Sequence, residues 1–288
     1  ANLVCYKKRL PQGAPTSPIL TNFVFGIVDS KILQLAKNYK LTYSRYADDL
    51  VFSTNDKEFG EKYSTFVTEL TKLLLDSGFK VNERKTCISY KNNRQVATGI
   101  IVNNRRLSVR REYYKVTRAM AHEFIKTTPI GDFSRQGLSR VITGRFLFIC
   151  QPMYFKNEIN LENCRETNNR IKDFQKFLYF TKFYNMKKPM IITEGFTDAL
   201  YIKAALLSLK EEFPNLIKID NQGNIVYQIN FLKRTTLLDR LFKFSKYGAD
   251  AFKNFSKYCI NENSIYNQIY KLKNQKPKFP IIVVFDNE

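Results

Sequence analysis

The sequence has very little of several residue types on which common enzyme mechanisms depend. It contains one histidine, His122, and no tryptophan. A Ser-His-Asp hydrolase would need that single ring, and a zinc site with two histidines is excluded. The five cysteines, at positions 5, 87, 150, 164 and 259, form no Cys-x-x-Cys pair. That spacing argues against zinc and against a disulfide scaffold, and it fits a reducing cytoplasm. If the protein is an enzyme, its catalysis must therefore rest on carboxylates and metal ions.

Acidic residues are also scarce, because 26 Asp and Glu stand against 47 Lys and Arg, for a net charge of +21. A field of that sign attracts polyanions, of which nucleic acid is the usual one. A basic surface kept for solubility is the alternative. No apolar run approaches membrane-spanning length and no signal peptide is visible, so we predict a cytoplasmic protein without membrane contact.

The basic excess is concentrated between residues 105 and 188, which hold 18 Lys or Arg against 7 Asp or Glu. Aromatic rings recur in the same stretch, most densely from Arg170 to Phe180. Proteins that bind single-stranded nucleic acid typically combine cations, which contact the phosphates, with aromatic rings, which stack on the bases. The alternative is a helix that turns its rings to the core and its lysines to water.

The first hundred residues alternate helical and strand patterns. Residues 15–38 predict a helix with an apolar face formed by Ile19, Leu20, Phe23, Val24, Ile27 and Val28. A β-hairpin is predicted over 41–54, and an amphipathic helix follows that ends at Gly78. Short strands are predicted at 79–82, 86–90 and 95–102. Residues 107–186 predict mainly helices.

The amino-acid composition changes near residue 187, where the basic helical region ends. Two short, continuously apolar segments, at 190–193 and 279–285, flank a predicted helix at 198–209. Buried strands separated by helices indicate a parallel α/β layer.

Asp48 and Asp49 are adjacent at the predicted tip of the hairpin. Two neighbouring carboxylates repel each other unless a divalent cation binds between them. Magnesium favours oxygen ligands and keeps positions open for substrate phosphates. Most Asp-Asp pairs in proteins are simply part of a solvated turn. The surrounding motifs are therefore needed to decide whether this pair binds metal.

Four motifs stand in order around this pair: LPQGAPTSP at 10–18, YADD at 46–49, GFKVNERKT at 78–86 and QVATG at 95–99. Their order and spacing resemble motifs B to E of reverse transcriptases. The resemblance implies that Asp48 and Asp49 bind two catalytic Mg²⁺ ions. It also implies that Gln12, Gly13 and Tyr46 lie at the template, nucleotide and primer. Lys85 resembles the motif D lysine that acts on pyrophosphate, with an ordinary surface lysine as the alternative.

The subfamily is indicated by Ala97, Thr98 and Gly99. They resemble the Val-Thr-Gly element with which retron reverse transcriptases recognise their noncoding RNA, although alanine replaces the valine here.

A second acidic group is predicted at the ends of the two apolar strands. The segments ITEGFTD at 192–198 and FDNE at 285–288 resemble the two signatures of a Toprim domain. By resemblance, Glu194 is a general acid or base, and Glu194, Asp286 and Glu288 hold one or two Mg²⁺ ions. Asp198 is a supporting candidate that could instead cap its helix. Glu288 replaces the usual aspartate, and a degenerate Toprim scaffold is the alternative.

The predicted fold is an α+β reverse-transcriptase palm (1–106) and a basic helical thumb (107–187), followed by the N-terminal part of an α/β, Rossmann-like Toprim domain (188–288). We expect the fingers and motif A to be missing from this chain, and the Toprim sheet to be unfinished. The implied function is RNA-directed DNA synthesis by a bacterial retron with a fused Toprim nuclease in antiphage defence. Its partners would be the cognate noncoding RNA, the RNA–DNA product and dNTPs, and homo-oligomerisation is left open. The alternatives are a group II intron-like or other bacterial reverse transcriptase, and a non-catalytic RNA/DNA-binding scaffold.

Overall fold

The computed structural model describes residues 5, 10–11, 13–103, 107–155, 169–195, 197–244 and 250–284. The chain divides into two compact units, Ala1–Arg106 and Leu107–Glu288. The second unit contains both the predicted thumb and the predicted Toprim region, because helices from the two pack against each other. The three-domain division of the sequence stays a prediction.

The first unit is built around helix α1 (Ser17–Asn38), with Pro18 in its first turn. Its buried side chains are Phe25, Val28, Ile32, Leu35 and Ala36. The predicted apolar face was largely wrong in position. Four of its six members are 59% to 77% exposed, namely Ile19, Phe23, Val24 and Ile27. The helix is apolar on more than one side, so periodicity alone could not select the side that packs.

By length and composition alone, α1 could cross a membrane, contrary to the expectation that no segment reaches that length. This is weak support for a membrane span, since a helix that packs in a protein core passes the same test. Here α1 contributes residues to both hydrophobic clusters of the first unit and carries Asp29, which binds an arginine of the neighbouring strand.

Against α1 lie a hairpin and a second helix. Strands β1 (Thr42–Tyr46) and β2 (Asp49–Ser53) pair antiparallel, and helix α2 (Phe59–Asp76) follows them. Phe66 and Leu74 of α2 enter the two clusters, with Tyr43 and Phe52 packed beside them. The core of this unit thus forms where the hairpin packs against two helices that also contact each other.

None of the three short strands predicted after α2 forms as a single strand. Strands β3 (Val96–Ala97) and β4 (Ile100–Ile101) pair antiparallel within the predicted 95–102 segment. Residues 79–82 and 86–90 have no strand structure. The chain there turns on itself instead, because the amides of Lys85 and Thr86 both donate to the carbonyl of Asn82, at 3.0 and 3.2 Å. Most side chains from 82 to 90 are exposed, so no packed face holds them extended.

The second unit opens with β5 (Ser108–Val109), α3 (Arg111–Thr127), α4 (Gln136–Phe155) and α5 (Asn169–Tyr179), and α5 continues into a π-helical turn at Phe180–Tyr184. Helices α3, α4 and α5 pack against one another. Their interface contains the buried rings of Phe146, Phe174, Phe177 and Phe180. Tyr179, Phe183 and Tyr184 are equally buried but contact Phe242, Phe255 and Tyr266, which lie later in the chain.

The rest of this unit is mixed α/β. It comprises β6 (Met190–Thr193), α6 (Asp198–Ser208), β7 (Ile217–Ile219), β8 (Ile225–Tyr227), β9 (Asn230–Phe231), α7 (Thr236–Phe242), α8 (Asp250–Ile260), α9 (Ile265–Lys273) and β10 (Ile281–Val284). Strand β6 lies between β10 and β9, parallel to both, while β7 and β8 form an antiparallel pair. The predicted parallel layer is therefore present, with β6 and β10 as neighbours.

Candidate active site

The hairpin places two acidic side chains at its tip. Tyr46 and Asp49 are the last paired residues, so Ala47 and Asp48 form a two-residue connection. Asp48 and Asp49 are both exposed. Ala47 has a φ of +52°, a left-handed conformation that a residue with a Cβ adopts only at a cost. Two-residue hairpin turns require a positive φ, and residues other than glycine in this conformation cluster at functional sites.

The surroundings of this pair suit a divalent cation. In the described part of the chain, no Lys or Arg forms a salt bridge with Asp48 or Asp49. The two carboxylates therefore keep their oxygens open to solvent and to ligands. Hard cations such as Mg²⁺ prefer this donor set, which fits the predicted metal site. Among the described residues, no cluster of three or more possible metal ligands forms, and metal binding by Asp48 and Asp49 stays a prediction.

The sequence interpretation missed an arginine beneath the turn. Arg45 lies on the inward-facing side of β1, and its side chain is only 10% exposed. Its Nε and Nη2 both donate to the carboxylate of Asp29 in α1, at 3.0 and 2.7 Å. Its Nη1 donates to the carbonyl of Ala47 at 2.8 Å and to Asn22 Oδ1 at 3.0 Å. An arginine in an inward strand position, beside a carboxylate in an apolar helix, is the signal that could have revealed the pair.

The ion pair changes the acidity of its members. Hydrogen bonding to Arg45 holds the pKa of Asp29 below its ordinary value, and Asp29 in turn raises the pKa of Arg45. The Tyr43 hydroxyl also donates to Asp29 Oδ1, at 2.6 Å, and burial with this bond raises the pKa of Tyr43. Asp29 is thus ionised near neutral pH and committed to these contacts.

The structure describes two of the three residues predicted to contact the template, nucleotide and primer. Gln12 lies outside the described residues. Gly13 has a φ of +86° with open space where a Cβ would stand, so conformation and not crowding favours glycine there. Tyr46 is 70% exposed beside the turn, where a bound strand could contact its ring.

Lys85 lies on the exposed turn after α2. Among the described contacts, none joins it to Asp48 or Asp49, and its role at pyrophosphate stays a prediction.

The predicted RNA-recognition residues lie at the tip of the β3–β4 hairpin. Thr98 and Gly99 have φ values of +48° and +85°, as a tight two-residue hairpin turn requires. The neighbouring Asn103 accepts from the Gln95 amide at 2.7 Å and donates to the Asn93 carbonyl at 2.8 Å, which steadies the base of the hairpin. Thr98 and Gly99 are exposed and Ala97 is half-buried, so this tip is available for contact with a partner.

The second predicted acidic group is described only in part. Glu194 directly follows β6, whose last residue, Thr193, is paired with Val284 of β10. Asp286 and Glu288 lie outside the described residues. Asp198 accepts from the Gly195 amide at 2.6 Å, so its carboxylate shapes the turn beside Glu194. A Cβ on Gly195 would stand 2.7 Å from that carboxylate, which explains the glycine.

The aromatic rings of the basic segment from Arg170 to Phe180 are not exposed to solvent. Phe174, Phe177, Tyr179 and Phe180 are at most 1% exposed, while Lys172 on the same helix is exposed. The alternative in which the rings face the core is therefore confirmed for these four residues. Lys172 is exposed to solvent and can reach phosphates.

Part of the chain is similar to a known protein family. Residues 4–121 match the family described as reverse transcriptase (RNA-dependent DNA polymerase). This range includes the hairpin with Asp48 and Asp49, and it supports a reverse-transcriptase palm.

Several relatives are retron reverse transcriptases. The chain is 37% identical over 120 residues to the Retron Ec86 reverse transcriptase of Escherichia coli, covering 42% of this chain and 37% of that protein. It is 39% identical over 112 residues to the Retron Mx65 reverse transcriptase of Myxococcus xanthus, covering 39% and 25%. It is 34% identical over 117 residues to the Retron Ec83 reverse transcriptase of Escherichia coli, covering 40% and 37%. The chain thus spans 25% to 37% of the length of these relatives. These similarities support a retron-type reverse transcriptase.

Proposed function

We propose that this chain forms the metal-binding part of an RNA-directed DNA polymerase of a bacterial retron. The observation that carries the proposal is the exposed Asp48–Asp49 pair at a strained hairpin turn within the region that matches reverse transcriptases. When bound there, Mg²⁺ supplies positive charge to the attacking 3′ oxygen and to the leaving pyrophosphate. Asp48 and Asp49 would hold the ions, and the open backbone at Gly13 would let template and dNTP approach.

The product and partner are the finer part of the proposal. The polymerase would copy a cognate noncoding RNA into single-stranded DNA that remains joined to RNA. The exposed β3–β4 tip at Ala97, Thr98 and Gly99 is the candidate contact for that RNA. We place the protein in the cytoplasm and without a membrane partner, and leave its oligomeric state to measurement.

Substitution of both tip carboxylates tests the polymerase. In the complete gene product, Asp48→Asn together with Asp49→Asn should abolish DNA synthesis on the copurifying RNA while RNA binding persists. The double variant Asp76→Asn with Glu83→Gln removes the same charge from exposed positions of the same unit and should leave synthesis intact.

The nucleic acid that copurifies with the protein separates the alternative readings. A short RNA joined to DNA supports the retron, and an intron-like RNA supports a group II relative. Random RNA with no synthesis by the wild type would establish the binding scaffold and overturn the polymerase.

We also propose that the second unit contains a Toprim nuclease that acts in antiphage defence and is restrained by the RNA–DNA product. The support is the position of Glu194 directly after β6, beside the parallel strand β10. Glu194, Asp286 and Glu288 would bind one or two Mg²⁺ ions there. Carboxylates at the ends of adjacent parallel strands converge on one crevice, which is where α/β sheets bind ligands.

Glu194→Gln tests this second activity. Phage protection and DNA cleavage should be lost while reverse transcription continues, and Glu212→Gln, at an exposed site in the same unit, serves as the control. Full protection by Glu194→Gln would reduce the Toprim region to a scaffold.

A further inference from the structure

Arg45 stands in a position where strands normally place an apolar residue. The burial of β1 alternates between exposed and half-buried, and Arg45 shares the inward side with Tyr43. A guanidinium so far removed from water is costly unless its donors are satisfied. The described contacts satisfy all three nitrogens: Nε and Nη2 by Asp29, and Nη1 by Asn22 and the Ala47 carbonyl. The Arg45 guanidinium also lies over the Phe25 ring, with Cζ 4.6 Å from its centre.

One of these contacts reaches the turn itself. The Ala47 carbonyl belongs to the peptide that leads into Asp48, and Nη1 of Arg45 holds it at 2.8 Å. Asp29 and Asn22 belong to α1, a 22-residue helix anchored in the core. The peptide in front of Asp48 is therefore tied to a rigid helix through one side chain, in addition to the backbone pairing of the hairpin.

We propose that Arg45 is a positioning residue that fixes the orientation of Asp48 for metal binding. The inference rests on the proposed polymerase function and deepens it. Ala47 has a left-handed φ, which is unfavourable for alanine, so the turn needs an external contact to keep one conformation. Arg45 supplies that contact without touching metal or substrate.

The geometry requires arginine in particular. A guanidinium is a planar fork that can bind a carboxylate with two nitrogens and donate from the third to another acceptor. A lysine amine could keep the ion pair with Asp29, but all its hydrogen bonds come from one nitrogen. It could not bind the Asp29 carboxylate and the Ala47 carbonyl in the arrangement that the three guanidinium nitrogens provide. Arg45→Lys therefore separates charge balance from the tether to the turn.

Tyr43→Phe is the matched control. It removes the 2.6 Å hydrogen bond from Tyr43 to the same Asp29 carboxylate, yet leaves every described contact of Arg45 to Asp29, Asn22 and Ala47. A role of Arg45 in stability alone would make the two variants behave alike. A role at the turn would make them differ.

The experiment measures DNA synthesis by the complete gene product as Mg²⁺ is varied, together with binding of Mn²⁺ and the melting temperature. We expect Arg45→Lys to raise the Mg²⁺ concentration for half-maximal synthesis, and to weaken Mn²⁺ binding, by about tenfold or more, the scale on which residues that orient metal ligands act. Tyr43→Phe should lower the melting temperature at least as much as Arg45→Lys does, but it should leave the Mg²⁺ requirement unchanged.

The outcomes are distinct. A wild-type Mg²⁺ requirement in Arg45→Lys, or an equal shift in Tyr43→Phe, overturns the positioning role while leaving the polymerase in place. A wild-type protein whose Mn²⁺ binding does not depend on Asp48 and Asp49, and which makes no DNA, overturns the proposed function itself.

Discussion

The rings of Phe146 and Phe174 stack with centroids 5.0 Å apart and planes 14° from parallel, and neither has any exposed surface. They join α4 to α5 at the centre of the second unit. Phe177 and Phe180 continue the same aromatic core towards Phe124 of α3. A segment whose composition suggests nucleic-acid stacking is thus the interior of a helical packing.

Phe174→Ala tests this assignment. Removing a fully buried phenylalanine should lower the free energy of unfolding by about 3–5 kcal/mol, because it loses buried surface and leaves a cavity. Urea denaturation measures the change. Lys172→Ala, on the exposed side of the same helix, should leave stability unchanged and weaken RNA binding slightly in a salt-dependent way. Weakened binding in Phe174→Ala at unchanged stability would contradict the core assignment.

The ion pair of Asp29 and Arg45 predicts a pH-dependent stability. Because the pKa of Asp29 is lowered from its ordinary 3.8, its contribution is fully present above that value and is lost as pH falls through the lower folded-state pKa. Asp29→Asn should cost about 2 kcal/mol at pH 7, the scale of charged hydrogen bonds that lose one partner. Denaturation curves should show the difference from the wild type shrinking below about pH 4. A difference that grows towards acid pH would show that another group controls it.

The conformation of Ala47 predicts opposite tolerance to two substitutions. Its φ of +52° is poorly suited to a β-branched side chain, so Ala47→Val should lower stability by about 1–2 kcal/mol. Ala47→Gly relieves the strain but increases the freedom of the unfolded chain, and should stay within about 1 kcal/mol of the wild type. Thermal unfolding of the two variants tests the pair. Equal stability of the valine variant would mean that the turn has another conformation.

Two glycines of the second unit should respond to alanine with opposite sign. Gly131 has a φ of +93°, and an added Cβ would stand 2.7 Å from Lys278 Nζ. Gly131→Ala should therefore lower the free energy of unfolding by about 1–2 kcal/mol. Gly144 lies within α4 with open space around it, so Gly144→Ala should raise stability by about 0.5–1 kcal/mol. Chemical denaturation of both variants measures the change in the free energy of unfolding. A change of the same sign in both would contradict the backbone conformations assigned to the two glycines.

The sequence by itself determined the features that depend on local pattern. The period of its apolar residues located α1 and α2, the strand pattern of residues 41–54 located the hairpin with Asp48 and Asp49 at its tip, and continuous apolar runs located β6 and β10. These features follow from backbone geometry that repeats every two or 3.6 residues, so a short window contains all the information needed.

Tertiary structure alone decided which surfaces are covered and which distant residues meet. The side of α1 that packs, the burial of Phe174, and the missing strands at 79–82 and 86–90 each depend on what the rest of the chain places next to them. The bond between Arg45 and Asp29 joins residues 16 positions apart in different elements. A periodic pattern shows that an element has an apolar side, but burial and ion pairing are set by the partner that covers it, which no local window contains.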